Sequence, residues 1–169
     1  MEPAHPIFGC FRARSENGTA YEVEIRSLDG FTNTCGCIDH RVNGLGTCKH
    51  IEGVLTGLRR RGARAFRQAA AQGSQRVEIF LRRDGAPTPI LSWPGVESEE
   101  TAAVRDWLTP HLDSRQLPSA EPAGIEALIG AYAAAPPTVR QRLRLSRHFG
   151  PWLERQRRER SRLEARAAF

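Results

Sequence analysis

Four residues could bind a metal: Cys35, Cys37, Cys48 and His50, spaced as C-x-C, ten residues, then C-x-H. Three thiols and one imidazole make a complete tetrahedral donor set for zinc. All lie within 16 residues of a chain that holds only four cysteines and five histidines. A catalytic zinc keeps one position open, whereas this set is closed, so the expected ion is structural Zn2+. Its binding would be coupled to folding of residues 35–58, because the loop between the pairs has little apolar material to hold it. Cys10 is the remaining cysteine and reads as a residue packed in a first strand. His40 reads as a loop histidine, with a substitute ligand as the alternative.

The elements around these ligands follow from periodicity. Tyr21, Val23 and Ile25 alternate with Glu22, Glu24 and Arg26, a period of two that predicts a half-buried strand. Turn residues bracket it at Ser15-Glu16-Asn17-Gly18 and Leu28-Asp29-Gly30. Ile7 to Arg14 and Phe31 to Thr34 supply flanking strands, giving a small antiparallel meander. Ile38 to Thr47, with Asn43-Gly44 and Gly46, reads as a loop. Gly36 between the first two cysteines would ease a tight turn. From Lys49 the period changes: Ile51, Val54, Leu55 and Leu58 form one helical stripe. The helix should end near Gly62, and Ala63 to Gln72 forms a second.

These residues carry a family resemblance. Thr34-Cys35-Gly36-Cys37 followed by Gly46-Thr47-Cys48-Lys49-His50-Ile51-Glu52-Gly53-Val54-Leu55 resembles the SWIM zinc finger, C-x-C-x(n)-C-x-H, over about residues 20–60. The resemblance implies zinc held by Cys35, Cys37, Cys48 and His50, and contact with DNA or protein. SWIM fingers occur in Mutator-type transposases, in some ubiquitin-ligase-like proteins, and ahead of the motor in bacterial SWI/SNF-type helicase-like ATPases, which this chain resembles best. It has no G-x-x-x-x-G-K-[ST] loop and no acidic box to hold ATP and magnesium. The expectation is therefore the N-terminal part of such an ATPase, or a stand-alone accessory protein.

Beyond residue 73 a second unit is expected. Val77 to Leu81 and Pro89 to Trp93 read as a hairpin around Arg83-Asp84-Gly85-Ala86-Pro87. Glu97 to Leu112 reads as a helix, Gln116 to Gly124 as a linker, and Ile125 to Ala135 as another helix. Thr138 to Phe149 and Trp152 to Ala168 are helical in composition, with Gly150-Pro151 breaking or kinking them. From Glu154 onward almost no apolar face exists apart from Leu163, which describes a helix that is solvated or awaiting a partner. The expected fold class is α+β: a SWIM-like ββα unit over 1–72, a hairpin and helix over 73–115, and a helical region over 116–169 that could link to a further domain.

Charge is segregated. Residues 59–84 carry eight basic and two acidic groups and 137–169 carry ten and three, against two and seven in 97–126. Arg41, Lys49, Arg59, Arg60, Arg61, Arg64 and Arg67 would give a basic surface beside the finger, suited to phosphates without sequence readout. Arginine richness from a GC-rich genome is the competing explanation, since 24 of 25 basic residues are arginine. Tyr21, Phe31 and Phe66 could stack on bases but fit core packing better. No G-x-S-x-G elbow is present, and Glu99, Glu100, Asp106 and Asp113 fit a solvated helix face, so no enzyme is expected. His111 and His148 are isolated. At 40% hydrophobic and 26% charged residues the composition is that of a soluble globular protein. No apolar run reaches the roughly 18 residues of a membrane span. Met1-Glu2-Pro3-Ala4-His5 has neither the basic start nor the apolar stretch of a secretory signal, so a cytoplasmic, reducing setting is expected. The expected function is a non-catalytic zinc module contacting nucleic acid, with DNA first, in the service of a helicase-like ATPase. A protein adaptor docking a partner or the parent motor, through the zinc helix or the acidic 97–126 segment, is the alternative.

Overall fold

The computed structural model describes residues 5–28, 32–83 and 86–167. Asp29 and Gly30 of the expected turn, Phe31 at the start of the expected third strand, and Asp84 and Gly85 of the expected hairpin turn lie outside the described residues. The fold class is α+β, with two three-stranded sheets. Among the described residues no helix is long and apolar enough to cross a membrane.

The first sheet is the expected meander. β1 (Gly9–Arg14), β2 (Ala20–Ile25) and the short β3 (Thr34–Cys35) pair antiparallel in sequence order. The register opposes Phe11 to Val23 and Val23 to Cys35, so the first ligand shares a sheet face with the apolar members of β2. Against that face packs α2 (Lys49–Arg61), through Ile51 and Leu58. α3 (Ala63–Gln72) follows after Gly62, adding Ala69 to the same cluster. Tyr21 and Phe66 lie against this core, as core packing requires.

Between the ligand pairs lies a helix that the loop reading omitted. α1 (Ile38–Val42) is one turn long, and its N-cap is Cys37, whose Sγ accepts the His40 N–H at 3.3 Å. A thiol is a rare cap, so no cap signal stood in the sequence. The rest of the segment is a turn as expected: Gly44 and Gly46 have φ of 66° and 69°. Asn43 ties it shut, accepting from the Leu45 N–H and donating to the Thr47 carbonyl at 3.0 Å.

The second sheet has order β5-β4-β6. β4 (Val77–Arg82) and β5 (Thr88–Ser92) form the expected hairpin, Ile79 opposite Leu91. α4 (Glu99–Leu108) starts on a Ser98–Thr101 capping box, and α5 (Pro122–Ala133) takes the place of the expected Ile125–Ala135 helix. The long helix expected over Thr138–Phe149 is instead a short one, α6 (Pro137–Arg142), followed by β6 (Leu143–Leu145) parallel to β4. The free edge of β4 draws these three residues into a sheet and overrides their local composition. α7 (Phe149–Ala167) then runs through Gly150-Pro151 without a break, because proline is tolerated in a helix's first turn. Only its start is buried, through Phe149, Trp152 and Leu153.

β2 departs from the half-buried expectation. Glu24 and Arg26, on the face that alternation assigns to solvent, are 0% and 5% exposed. The second sheet and the 144–148 segment cover them. Glu24 accepts from Thr34, from Ser146 Oγ at 2.6 Å, from the Arg147 N–H at 2.8 Å, and from the Arg26 guanidinium. Arg26 also lies 3.3 Å from Glu78 and over the Phe80 ring, and Arg144 pairs with Glu78 at 2.7 Å. The two sheets thus meet through a buried ionic network, each charge with an opposite one. Burial alone would raise the Glu24 carboxyl; Arg26, His148 and the Ser146 and Arg147 hydrogen bonds outweigh it and hold the group at about 2.

Candidate metal centre

Each ligand is delivered by a different piece of this architecture. β3 ends on Cys35, fixed by its pairing with Val23. The Gly36 N–H continues the ladder to the Glu22 carbonyl at 3.0 Å, and Cys37 then caps α1. A glycine is not demanded between the two cysteines. Gly36 does not have a positive φ, and an added Cβ would meet His148 at an ordinary 3.5 Å. Cys48 is the N-cap of α2, and His50 stands in that helix's first turn. Cys37 and Cys48 therefore sit at helix N-termini, where backbone N–H groups favour the thiolate.

The four donor atoms lie within 4.8 Å of one another, and all four residues are buried. A tetrahedral ion with Zn–S bonds of about 2.3 Å spaces its donors somewhat under 4 Å apart, so the set is within a small contraction of closure. None of the thiols is in a disulfide. The Cys37 N–H points at Cys35 Sγ at 3.5 Å, and the His40 N–H at Cys37 Sγ. Such N–H···S bonds spread the charge of metal-bound thiolates. His50 is the most telling member. It is 7% exposed, and neither ring nitrogen has a hydrogen-bond partner. A buried imidazole without partners costs free energy, and coordination would supply one. Tyr21 holds its orientation, with ring centroids 4.8 Å apart. Within the thiol cluster Cys48 is favoured as thiolate by hydrogen bonds from its neighbours, chiefly Cys35, and Cys35 is pushed up by the same sharing and by burial. The residues therefore fit a metal ion, and their donor chemistry is the mixture that zinc favours over harder ions.

The other candidates are placed as follows. Cys10 lies on β1 with an exposed side, its sulfur 3.8 Å from Glu24. His40 is buried on α1 and stands outside the ligand group. His148 is buried against the metal loop, beside Gly36. Of the basic residues, Lys49, Arg60 and Arg61 line one groove of about 510 Å³ along α2, together with His50, Gly53, Val54 and Gly57. Arg14, at the end of β1, joins them. Sequence reasoning missed it, because only the packing of β1 against α2 brings it there. Arg59, Arg64 and Arg67 are exposed but do not line that groove, and Arg41 lies elsewhere, near Arg83 and Arg155. The acidic candidates Glu99, Glu100 and Asp106 are exposed on α4.

No family model matches the chain, and no curated protein and no solved structure matches it either.

Proposed function

We propose that the chain is a non-catalytic, zinc-binding module of the SWIM finger type that contacts nucleic acid, DNA first, as the accessory region of a helicase-like ATPase. The observation that carries this reading is the groove beside the metal centre. Four cationic side chains, Arg14, Lys49, Arg60 and Arg61, line it, and among the described residues no carboxylate does. Gly53 and Gly57 also line it, and their missing side chains would let a phosphate backbone approach α2 closely. His50 lies in the same wall, so the ion that fixes α2 also fixes the groove. The donor chemistry supports zinc as that ion, and its role is to hold the α2 start to β3. Phosphate contacts of this kind position a strand without reading its bases.

The test is a titration of the zinc-loaded chain against duplex and single-stranded DNA over a salt series. Affinity should fall steeply with salt, and Arg60→Gln with Arg61→Gln should lower the slope of log affinity against log salt by about 2. An affinity indifferent to salt, or to those two substitutions, sinks the reading.

A specific patch favours the adaptor as a second reading. Ile38 and Val42 on α1, and Leu45 beyond it, are 64%, 74% and 66% exposed, a concentration of large apolar side chains on the metal loop. Under this reading the patch docks the parent ATPase motor. Nuclease-resistant co-elution with that motor, lost in Val42→Asp, would favour it over DNA contact.

A further inference from the structure

Buried arginines in this molecule fall into two kinds. Arg26 and Arg144 each face a carboxylate, as described above. Arg83, just past β4, is 7% exposed; its Nε has no hydrogen-bond partner, and among the described residues no ion pair reaches it. Among the described residues the charged groups that bear on it have its own sign: Arg155 from α7 and Arg41 from α1. Arg41 Nε is likewise sheltered and without a partner. Glu154 is the acidic side chain that bears on Arg155. His40 and His148 also lie near; burial pushes both below their ordinary value, and Arg83 adds to this. Burial, Arg155 and Arg41 together push the Arg83 guanidinium down to about 10, which still leaves it charged at neutral pH.

A buried cation with like charges around it and, among the described residues, no counter-ion is costly. A guanidinium cannot escape that cost by losing its proton near neutrality. The group that would relieve it carries more than one negative charge and accepts planar, forked N–H donors, which describes a phosphoryl oxyanion. We propose that Arg41, Arg83 and Arg155 form a binding site for a phosphate dianion, where the metal loop, the second sheet and α7 meet. The site shares no residue with the α2 groove, so it stands or falls apart from DNA contact there.

Binding of inorganic phosphate to the zinc-loaded full chain, followed by phosphorus NMR and by thermal unfolding at constant ionic strength, tests it. The expected result is saturable binding that raises the unfolding temperature, with acetate at the same concentration having no such effect. Arg83→Gln should weaken phosphate binding by about tenfold or more and, in phosphate-free buffer, should unfold at a higher temperature than the parent chain. Should Arg83→Gln not fold, Arg155→Gln, on the half-buried rim, must show the same loss of binding. Non-saturable binding, or binding unchanged in these variants, overturns the site. Competition against inorganic phosphate by a 5′-phosphorylated oligonucleotide but not its 5′-hydroxyl form assigns the ligand to a strand end. Competition by neither assigns a free small phosphate, and equal competition by both contradicts a dianion-selective site.

Discussion

The two sheets of this chain bury their interiors by different means. The second core is hydrocarbon throughout: Val77, Ile79 and Leu81 of β4, Val104 and Leu108 of α4, Ile125 and Leu128 of α5, and Phe149, Trp152 and Leu153 of α7 pack together. The first has Ile7, Phe8, Val23, Ile25, Ile51 and Leu58, and Cys35, Cys37 and Cys48 are buried among them. Thiols contribute modest apolar area, and here they surround an imidazole whose nitrogens are unpartnered. One half therefore rests on burial alone, and the other includes a buried group of donors that could hold an ion. All three tryptophans, Trp93, Trp107 and Trp152, lie in the second half; Trp107 and Trp152 belong to its core, so their fluorescence reports chiefly on that half.

The comparison breaks most sharply at the ligands. Cys35→Ser or His50→Ala should release the metal and unfold residues 35–58, since structural zinc supplies about 10–16 kcal/mol to small domains. Elemental analysis should fall from about one zinc per chain to near zero, and amide protection of α2 should vanish while that of β4 persists. One zinc per chain retained in both variants would refute the ligand set. In the other half, Phe149→Ala removes a ring that is 1% exposed and should cost about 3–5 kcal/mol. Tryptophan-monitored denaturant unfolding should register that loss while zinc content at low denaturant stays unchanged. A loss of zinc at low denaturant instead would mean that the two halves fold as one unit.

What the sequence makes legible differs between the halves for the same reason. Ligand spacing, strand alternation and the α2 stripe are local patterns, and the meander, helix and metal cluster follow from them. β6 is not local: Leu143-Arg144-Leu145 becomes a strand because β4, some 65 residues earlier, leaves an edge to pair. Glu24 was equally hidden. Alternation on β2 assigns it to water, and only the arrival of Ser146 and Arg147 buries it. Arg14 reaches the groove, and Arg83 reaches Arg41 and Arg155, by the same kind of long-range packing. Paired charges and grooves made by distant segments leave no mark on spacing.

The buried network joins the halves and sharpens the comparison next. Glu24 is held near 2, below the ordinary carboxylate value. A depressed carboxylate contributes stability above its unfolded pKa and loses it as pH falls toward the folded value. Glu24→Gln should therefore cost about 3 kcal/mol at neutral pH, and its gap from the parent chain should close between about pH 4.5 and 2. Glu78 works the other way, because burial pushes its carboxyl up despite Arg144 and Arg26. The difference between parent and Glu24→Gln, read at matched metal content, isolates Glu24. A gap that does not change with pH would mean that the carboxylate's shape matters and its charge does not.

The smallest effect belongs to Cys10, and it is the control that gives the largest its meaning. Cys10 and Cys35 are the same residue type in the same sheet, yet they differ in where the register puts them. Cys35 pairs opposite Val23 and turns into the core, among the other donors. Cys10 pairs opposite Glu24, on the other face of the sheet, and its sulfur comes within 3.8 Å of that carboxylate. Partial burial and the Glu24 charge push its thiol up, away from the thiolate a metal requires. Cys10→Ser should leave zinc at one per chain and change stability by less than about 0.5 kcal/mol. If Cys10→Ser lowered zinc content as Cys35→Ser does, strand register would not be what separates ligand from bystander, and the assignment of the centre to the Val23 face would fail with it.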